Sequence, residues 1–517
     1  MDELKKIALT FDIGTQSARG VLIDDKGNIL AKEKIAFKNP YFSKNPGWAE
    51  QDGDFYWENI CSISKKLKSN TKDLWEKIAV VSITTIRDTN ICVDDSGNPL
   101  RPAILWLDKR KAICSEPLDL KRRAAFKITG MTETVDMLRK ASSCNWIIEN
   151  EKEIWSKTHK FLMLSGYMNF KFTGLMVDSK ANIIGHVPFD NKKQVWMDER
   201  GLTFTVMPVP LDKLCELVDP GTVIGSITKK ASEETGIKEG MPFVATASDK
   251  GCETIGLSCV TPDKGAISFG TTATIQYTID RYVEPQRFFP SYPAGVNGQY
   301  SPEIEIYRGY WLISWFKKEF AEKEEKESIK LGVSAEELLN RRLKEIKPGC
   351  DGLIFQPYFT PGVAMPNARG AAIGFSDVHT RIHIYRAIIE GINFALIDGM
   401  KTLERQMGTQ TKSIYIAGGG SQSDEIAQIT ANMFGLPVYK TQTSEAAVIG
   451  SAALAYVGIG RYEDIFSAID NMVHIAYEFT PDMDEHKLYK KIYSDVFSKI
   501  FDKLKPLYDI ESEMEDK

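Results

Sequence analysis

The chain has 517 residues, 43% of them hydrophobic and 26% charged, with a formal net charge of −5. That length is too great for one core, so two domains are expected. The charge balance carries no basic surplus for nucleic acid, and no apolar run is long enough to span a membrane. The eight cysteines form no C-x-x-C pair, as in a reduced cytoplasmic protein. The first residues run straight into a strand rather than a signal peptide.

Leu9–Leu22 reads as strand, tight turn, strand. Leu9, Phe11 and Ile13 alternate with small or polar residues, the periodicity of a half-buried strand. Gly14 permits a sharp turn, and Thr15, Gln16, Ser17 and Arg19 crowd donors onto it. Asp12 adds a carboxylate. Phosphate donors beside a carboxylate for magnesium suit a nucleotide site, although an ordinary polar hairpin fits the segment equally well. A third strand is expected at 28–36, and a helix at 54–68 with Phe55, Ile60, Ile63 and Leu67 on one face. Between them lies PGWAEQD at 46–52. Its Trp48 is either a sugar-facing ring or a buried pin for the loop.

Residues 78–86 form an apolar strand that ends in Arg87 and Asp88. Ligands in open α/β sheets bind at such carboxyl ends. The unit AILWLDKR at 103–110 sets Trp106, Asp108 and Arg110 close together, so the two units favour a pocket for a small polar substrate. A helix is expected at 141–150, an apolar scaffold at 160–174, and a buried strand at 241–247 leading to Asp249 and Lys250. Residues 264–277, KGAISFGTTATIQY, repeat the first hairpin, with Gly270, Thr271 and Thr272 where Gly14, Thr15 and Gln16 stood. Two such hairpins half a chain apart imply two similar domains facing each other across a cleft, the actin/hexokinase-type arrangement.

Further on, a strand is expected at 352–358, a Pro/Gly loop at 359–370, a long helix at 382–404 and a strand at 413–417. The glycines 418–420 with Ser421 then open a helix at 423–434, a place for an adenine ring or phosphate oxygens. A small-residue helix follows at 445–456 and an amphipathic one at 488–504. Residues 511–517 are expected to be disordered. His379 and His383 have the i, i+4 spacing of a metal pair without a third ligand, which reads as a solvated helix start.

Taken in order, nine segments resemble the FGGY family of carbohydrate kinases: DIGTQSARGVL, PGWAEQD, AILWLDKR, the Asp249 segment, SFGTTA, HIYRAIIEG, IAGGGSQS, GLPV and EAAVIGSAALA. The resemblance implies an α/β fold of two RNase H-like domains, at 1–257 (acceptor side) and 258–517 (nucleotide side), with ATP and Mg²⁺ in the cleft. It implies phosphorylation of a small sugar or polyol, a pentulose such as xylulose first and a glycerol-like polyol next. Asp249 takes the general-base position and, with Asp12, the metal side. Thr15, Gln16, Ser17, Arg19, Gly270, Thr271, Thr272, Gly419, Gly420, Ser421 and Asn432 take the nucleotide side. Arg87, Asp88, Trp106, Asp108, Lys250 and Trp48 take the acceptor side. The family is often dimeric, so a homodimer is implied as well. Ser248 and Lys250 depart from the family's Gly before the catalytic Asp and Gln or Asn after it. That leaves the sugar open. A non-catalytic sugar sensor on the same fold is the alternative, and an ATPase acting on protein partners a third reading.

Overall fold

Every residue of the strand Ile7–Ile13 is buried, and its two faces meet different partners. Leu9, Phe11 and Ile13 pack with Ile60, Ile63 and Leu67 of the helix Gly53–Asn70. On the other face the small Ala8 packs against Ala452, Ala453 and Ala455 of the helix Ala446–Gly458. The alternation legible in the sequence therefore separates two packed faces, not core from solvent. The computed structural model describes residues 6–515 apart from 116, 287, 288, 361, 363, 364 and 366. Part of the expected Pro/Gly loop at 359–370 and the last two residues lie outside that description.

The two halves trace the same path. In the first, Ile7–Ile13, Ser17–Asp24 and Ile29–Ala36 form an antiparallel meander. Ile78–Thr85 and Pro242–Val244 then add in parallel, and Val223–Ser226 closes the edge antiparallel. In the second, Lys264–Phe269, Ala273–Gln276 and Glu303–Ile306 form the meander. Ser413–Ala417 and Val438–Thr441 are the parallel strands, and Ile475–Phe479 closes the edge. Each is a six-stranded sheet, and in each the Gly turn joins the first two strands.

The helix Ala446–Gly458 belongs to the second half by sequence yet seats on the first sheet. Tyr456 Oη accepts from the Ala8 amide (3.0 Å) and lies 2.8 Å from the Ile23 carbonyl. Ser451 Oγ lies 3.0 Å from Ser82 Oγ, which lies 3.0 Å from Thr10 Oγ1. A Cβ on Gly450 would stand 1.9 Å from the Cys252 carbonyl oxygen, and one on Gly256 1.9 Å from that of Ala446. This helix thus crosses the helix Asp249–Gly256 backbone to backbone.

Several elements differ from expectation. The helix expected at 141–150 is present as Ser143–Asn150, and a further helix, Thr132–Ala141, precedes it, parted from it at the extended Ser142. The C-terminal helix runs as Met483–Ile492 and Ser498–Glu515, joined by a π-helical turn at Tyr493–Phe497. Residues 511–515, expected to be disordered, are therefore helical. Tyr508 is buried there and donates to Gln356 Oε1, which anchors the segment. His383 joins the Thr380 capping box of the helix Arg381–Met407, and His379 meets the Cys350 carbonyl. Both brace the helix start. No helix among the described residues is long and apolar enough to cross a membrane.

Candidate active site

Asp12 stands opposite Arg19 in the first hairpin's register, with Arg19 Nε 3.1 Å from its carboxylate. Arg19 also pairs with Glu445, at the N-terminal end of the helix Ala446–Gly458, and Lys32 Nζ reaches the same Glu445 at 2.9 Å. Burial pushes the Asp12 carboxyl up to about 6. Arg19 pulls it down, and Asp249, Glu445 and Glu253 push it up further. Next to it the turn is closed by Gly14 N donating to the Ser17 carbonyl (2.9 Å). Thr15 Oγ1 accepts from Trp106 Nε1 (3.0 Å), Gln16 is exposed and Ser17 is buried.

Asp249 is the first residue of the helix Asp249–Gly256, which Ser248 caps by accepting from the Gly251 amide. Its Oδ1 accepts from the Lys250 amide (2.8 Å). Among the described residues no side chain hydrogen-bonds to it. Burial raises its carboxyl, against the pull of Arg87 and Lys250. Lys250 Nζ turns to Ser268 Oγ (2.6 Å) and Glu253 Oε1 (3.1 Å). It therefore sits beneath the strand that leads to the second Gly turn.

Arg87 crosses between the halves. Nη1 meets Glu303 at 2.7 Å and Nη2 meets Glu305 at 3.0 Å. Asp88 adopts the left-handed region (φ 47°) and accepts from the His186 amide (3.0 Å), while its other oxygen lies 2.7 Å from His186 Nδ1. Burial raises Asp88, but His186 outweighs it and the carboxyl stays below its usual range; Asp88 in turn raises His186. Trp106 is 42% exposed. Arg87 and Lys250 thus stand near Asp249, and Trp106 meets the first turn, while the Asp88 side chain is turned to His186.

Trp48 and Asp108 do not join them. Asp108 accepts from the Ala49 amide (2.6 Å), the Arg110 amide (2.8 Å) and the Arg110 guanidinium (2.8 and 2.9 Å). Arg110 also pairs with Glu50 at 3.0 Å. Its guanidinium lies 3.9 Å from the Trp48 ring centroid, and Trp48 meets Trp146 edge-on. These residues buckle the 46–52 loop to the 103–110 segment, because a carboxylate two residues from an arginine in a turn is saturated locally.

On the other wall, Gly270 accepts from the Tyr310 amide (3.0 Å), Thr271 is exposed, and Thr272 Oγ1 donates to the Tyr307 carbonyl (3.2 Å). Of the glycines after Ser413–Ala417, Gly418 (φ 84°) presses on Phe269. A Cβ on Gly420 would strike the Tyr310 ring, whereas Gly419 has open space above it. Ser421 Oγ closes the loop on the Gly418 carbonyl (2.8 Å). Asn432 is a correction to the expected nucleotide set. It is 5% exposed, donates to Glu485 (2.6 Å) and accepts from Gln428 and the Asp482 amide. It ties its helix to Met483–Ile492, since it lies well inside Asp424–Phe434 rather than at its start. Sequence reasoning missed Glu303, Glu305, His186, Glu253 and Glu445. Glu445 opens the quoted segment EAAVIGSAALA, and Glu303 and Glu305 left a trace as two carboxylates at the i, i+2 spacing that puts both on one face of a strand.

Comparison with known proteins agrees with this layout. The model of the N-terminal domain of the FGGY family of carbohydrate kinases matches residues 7–256, and that of its C-terminal domain matches 265–459. The chain is 27% identical over 500 residues to a xylulose kinase of Staphylococcus epidermidis, covering 94% of this chain and 95% of that one. It is 25% identical over 492 residues to a gluconokinase of Bacillus subtilis, covering 94% and 93%. The structure of a xylulose kinase from Lactobacillus acidophilus superposes with a TM-score of 0.82 at 22% identity, over 98% and 99% of the two chains. With both domain models matched in sequence order onto two halves of like topology, the chain belongs to the FGGY family of carbohydrate kinases and is a sugar kinase, with ATP the family's phosphate donor.

Proposed function

We propose that the protein transfers the γ-phosphoryl group of ATP to a hydroxyl of a small sugar or polyol, a pentulose such as xylulose before a glycerol-like polyol. The observation that carries the reading is Asp249, a half-buried carboxylate held by one backbone amide and, among the described residues, free of side-chain hydrogen bonds, between the acceptor cluster and Asp12. In that position it accepts the proton of the acceptor hydroxyl as the oxygen bonds to the γ-phosphorus. The bond from phosphorus to the bridging oxygen breaks, and ADP leaves with that oxygen. Arg87 and Trp106 hold the acceptor, with Asp88 kept ionised by His186. Thr15, Gln16, Ser17 and Arg19 face the phosphates from one half, and Gly270, Thr271 and Thr272 from the other. Gly419, Gly420 and Ser421 offer the bare backbone for adenine. We take residues 1–257 and 258–517 as the bodies that close on the substrates, excluding water.

The donor set fits Mg²⁺. Asp12 lies near the carboxylates of Asp249, Glu445 and Glu253, and magnesium uses one or two carboxylates together with nucleotide phosphates. Asp12 and Asp249 would hold it, and when bound it neutralises charge on the transferring group. The Lys250 ammonium is committed to Glu253 and Ser268, so the departure at this position leaves the base in place and favours a kinase over a sensor. The test is Asp249→Asn. It keeps its fold and ATP affinity and loses transfer by roughly 10²–10⁴-fold. Turnover close to that of the unaltered enzyme would remove Asp249 from this role.

A further inference from the structure

Two cations lie beside Asp249, and both have carboxylate partners. Arg87 is held by Glu303 and Glu305 together, at 2.7 and 3.0 Å. Lys250 is held by Glu253 at 3.1 Å. The three side chains of the first group are well covered: Arg87 is 17% exposed, Glu303 8% and Glu305 26%, with the Tyr292 ring 5.8 Å from the guanidinium. Four carboxylates, of Asp249, Glu253, Glu303 and Glu305, therefore share two cations. Burial and the nearness of Glu303 push the Glu305 carboxyl up, against the pull of Arg87. Glu303 and Glu305 also line a cavity of about 140 Å³ with Tyr292, Tyr307, Tyr358 and Asp398. No Lys, Arg or His stands among its described lining residues.

This has a consequence for the acceptor. A sugar acid needs an unspent cation for its carboxylate, because a buried charge without a partner is costly. Beside Arg87 it would meet a guanidinium already facing two glutamates, and would lie near the carboxyl groups of Glu303, Glu305 and Asp249. A neutral ketose or polyol brings hydroxyl donors instead, which carboxylates accept in charge-assisted hydrogen bonds. We infer that the acceptor is uncharged, and that Glu303 and Glu305 are the specificity residues that exclude sugar acids. The inference rests on the kinase reading for the position of the acceptor. It separates the two acceptor chemistries named among the relatives, since discrimination requires an element that repels the wrong ligand.

Calorimetric titration of D-gluconate into the full-length protein, its Glu305→Gln variant and its Glu303→Gln/Glu305→Gln variant tests this, with D-xylulose in parallel. The unaltered protein takes up no gluconate at millimolar concentration. The double variant, with Arg87 released, gains at least tenfold in gluconate affinity, and the single variant gains in the same direction. Gluconate binding by the unaltered protein, or no gain in either folded variant, overturns the inference. If the double variant fails to fold, Glu305→Gln decides alone. Failure of the kinase reading shows separately, as absence of any phosphate ester from ATP with every acceptor, while the gluconate titrations still report on the two glutamates.

Discussion

Asp12 is buried and Asp249 half-buried, and desolvation raises both carboxyls, yet among the described residues Asp12 pairs with Arg19 and Asp249 carries no ion pair. Its carboxyl, pushed up to about 6 by burial, gives a pH dependence whose sign follows from the role proposed for it. The ionised form is the one that meets a cation, so it is lost as pH falls through about 6. The affinity for Mg²⁺ with ATP is predicted to be flat from pH 7 to 8 and to weaken about tenfold per pH unit well below 6. Asp12→Asn should remove that slope, which titration at several pH values would read. A second residue-scale prediction concerns Gly185, whose φ of 151° and closeness to Asp88 leave no room for a side chain. A Cβ there would stand 2.3 Å from Asp88 Oδ1. Gly185→Ala should raise the KM of the acceptor by roughly tenfold, about 1.4 kcal/mol, and leave that of ATP unchanged. Equal effects on both would place the damage in the fold. Asp12, Asp249 and Arg87 were legible in the sequence because each sits at the end of an apolar strand. His186 and Glu445 were not, because their partners, Asp88 and Arg19, lie 98 and 426 residues away.

At the scale of elements, the two Gly turns and their flanking strands could be read from the chain because a hairpin is local. Sheet order could not, since Ile7–Ile13 pairs with Ile78–Thr85 and Lys264–Phe269 with Ser413–Ala417 across long insertions. The helix Ala446–Gly458 was legible as a small-residue helix, but its seat on the other half's sheet was not. That seat makes a prediction. Tyr456→Phe removes the hydroxyl shared by the Ala8 amide and the Ile23 carbonyl and should cost about 1–3 kcal/mol of stability. Gly450→Ala drives a Cβ onto the Cys252 carbonyl and should cost about 3 kcal/mol. Urea denaturation of the two variants checks both. A stability within experimental error of the parent would mean that the two helices are not in backbone contact. The terminal helix was legible at 488–504, but its end escaped because residues 511–515 are mostly charged, while the contact that fixes the segment comes from Tyr508, buried against Gln356.

The whole molecule places its chemistry where two like sheets face each other. Arg87 reaches Glu303 and Glu305 on the second sheet, and Arg19 reaches Glu445 at the start of the helix Ala446–Gly458, so ion pairs tie the two halves of the chain at both places. On the proposed reading, closure around both substrates would exclude water, the competing nucleophile. ATP hydrolysis without acceptor should accordingly be far slower than transfer, and Glu445→Gln, which unpins Arg19, should narrow that difference. Family membership was legible through nine short segments in order, and the acceptor was not, because the glutamates around Arg87 lie outside all nine. The most direct measurement is the product itself. The protein is incubated with ATP, Mg²⁺ and each of a panel of neutral pentuloses, tetroses and polyols, beside Asp249→Asn, and the mixture is analysed for a phosphate ester by mass spectrometry. The account predicts an ester from a neutral acceptor with the unaltered enzyme, reduced roughly 10²–10⁴-fold in the variant. Inorganic phosphate alone, or an ester formed equally well without the Asp249 carboxylate, would contradict it.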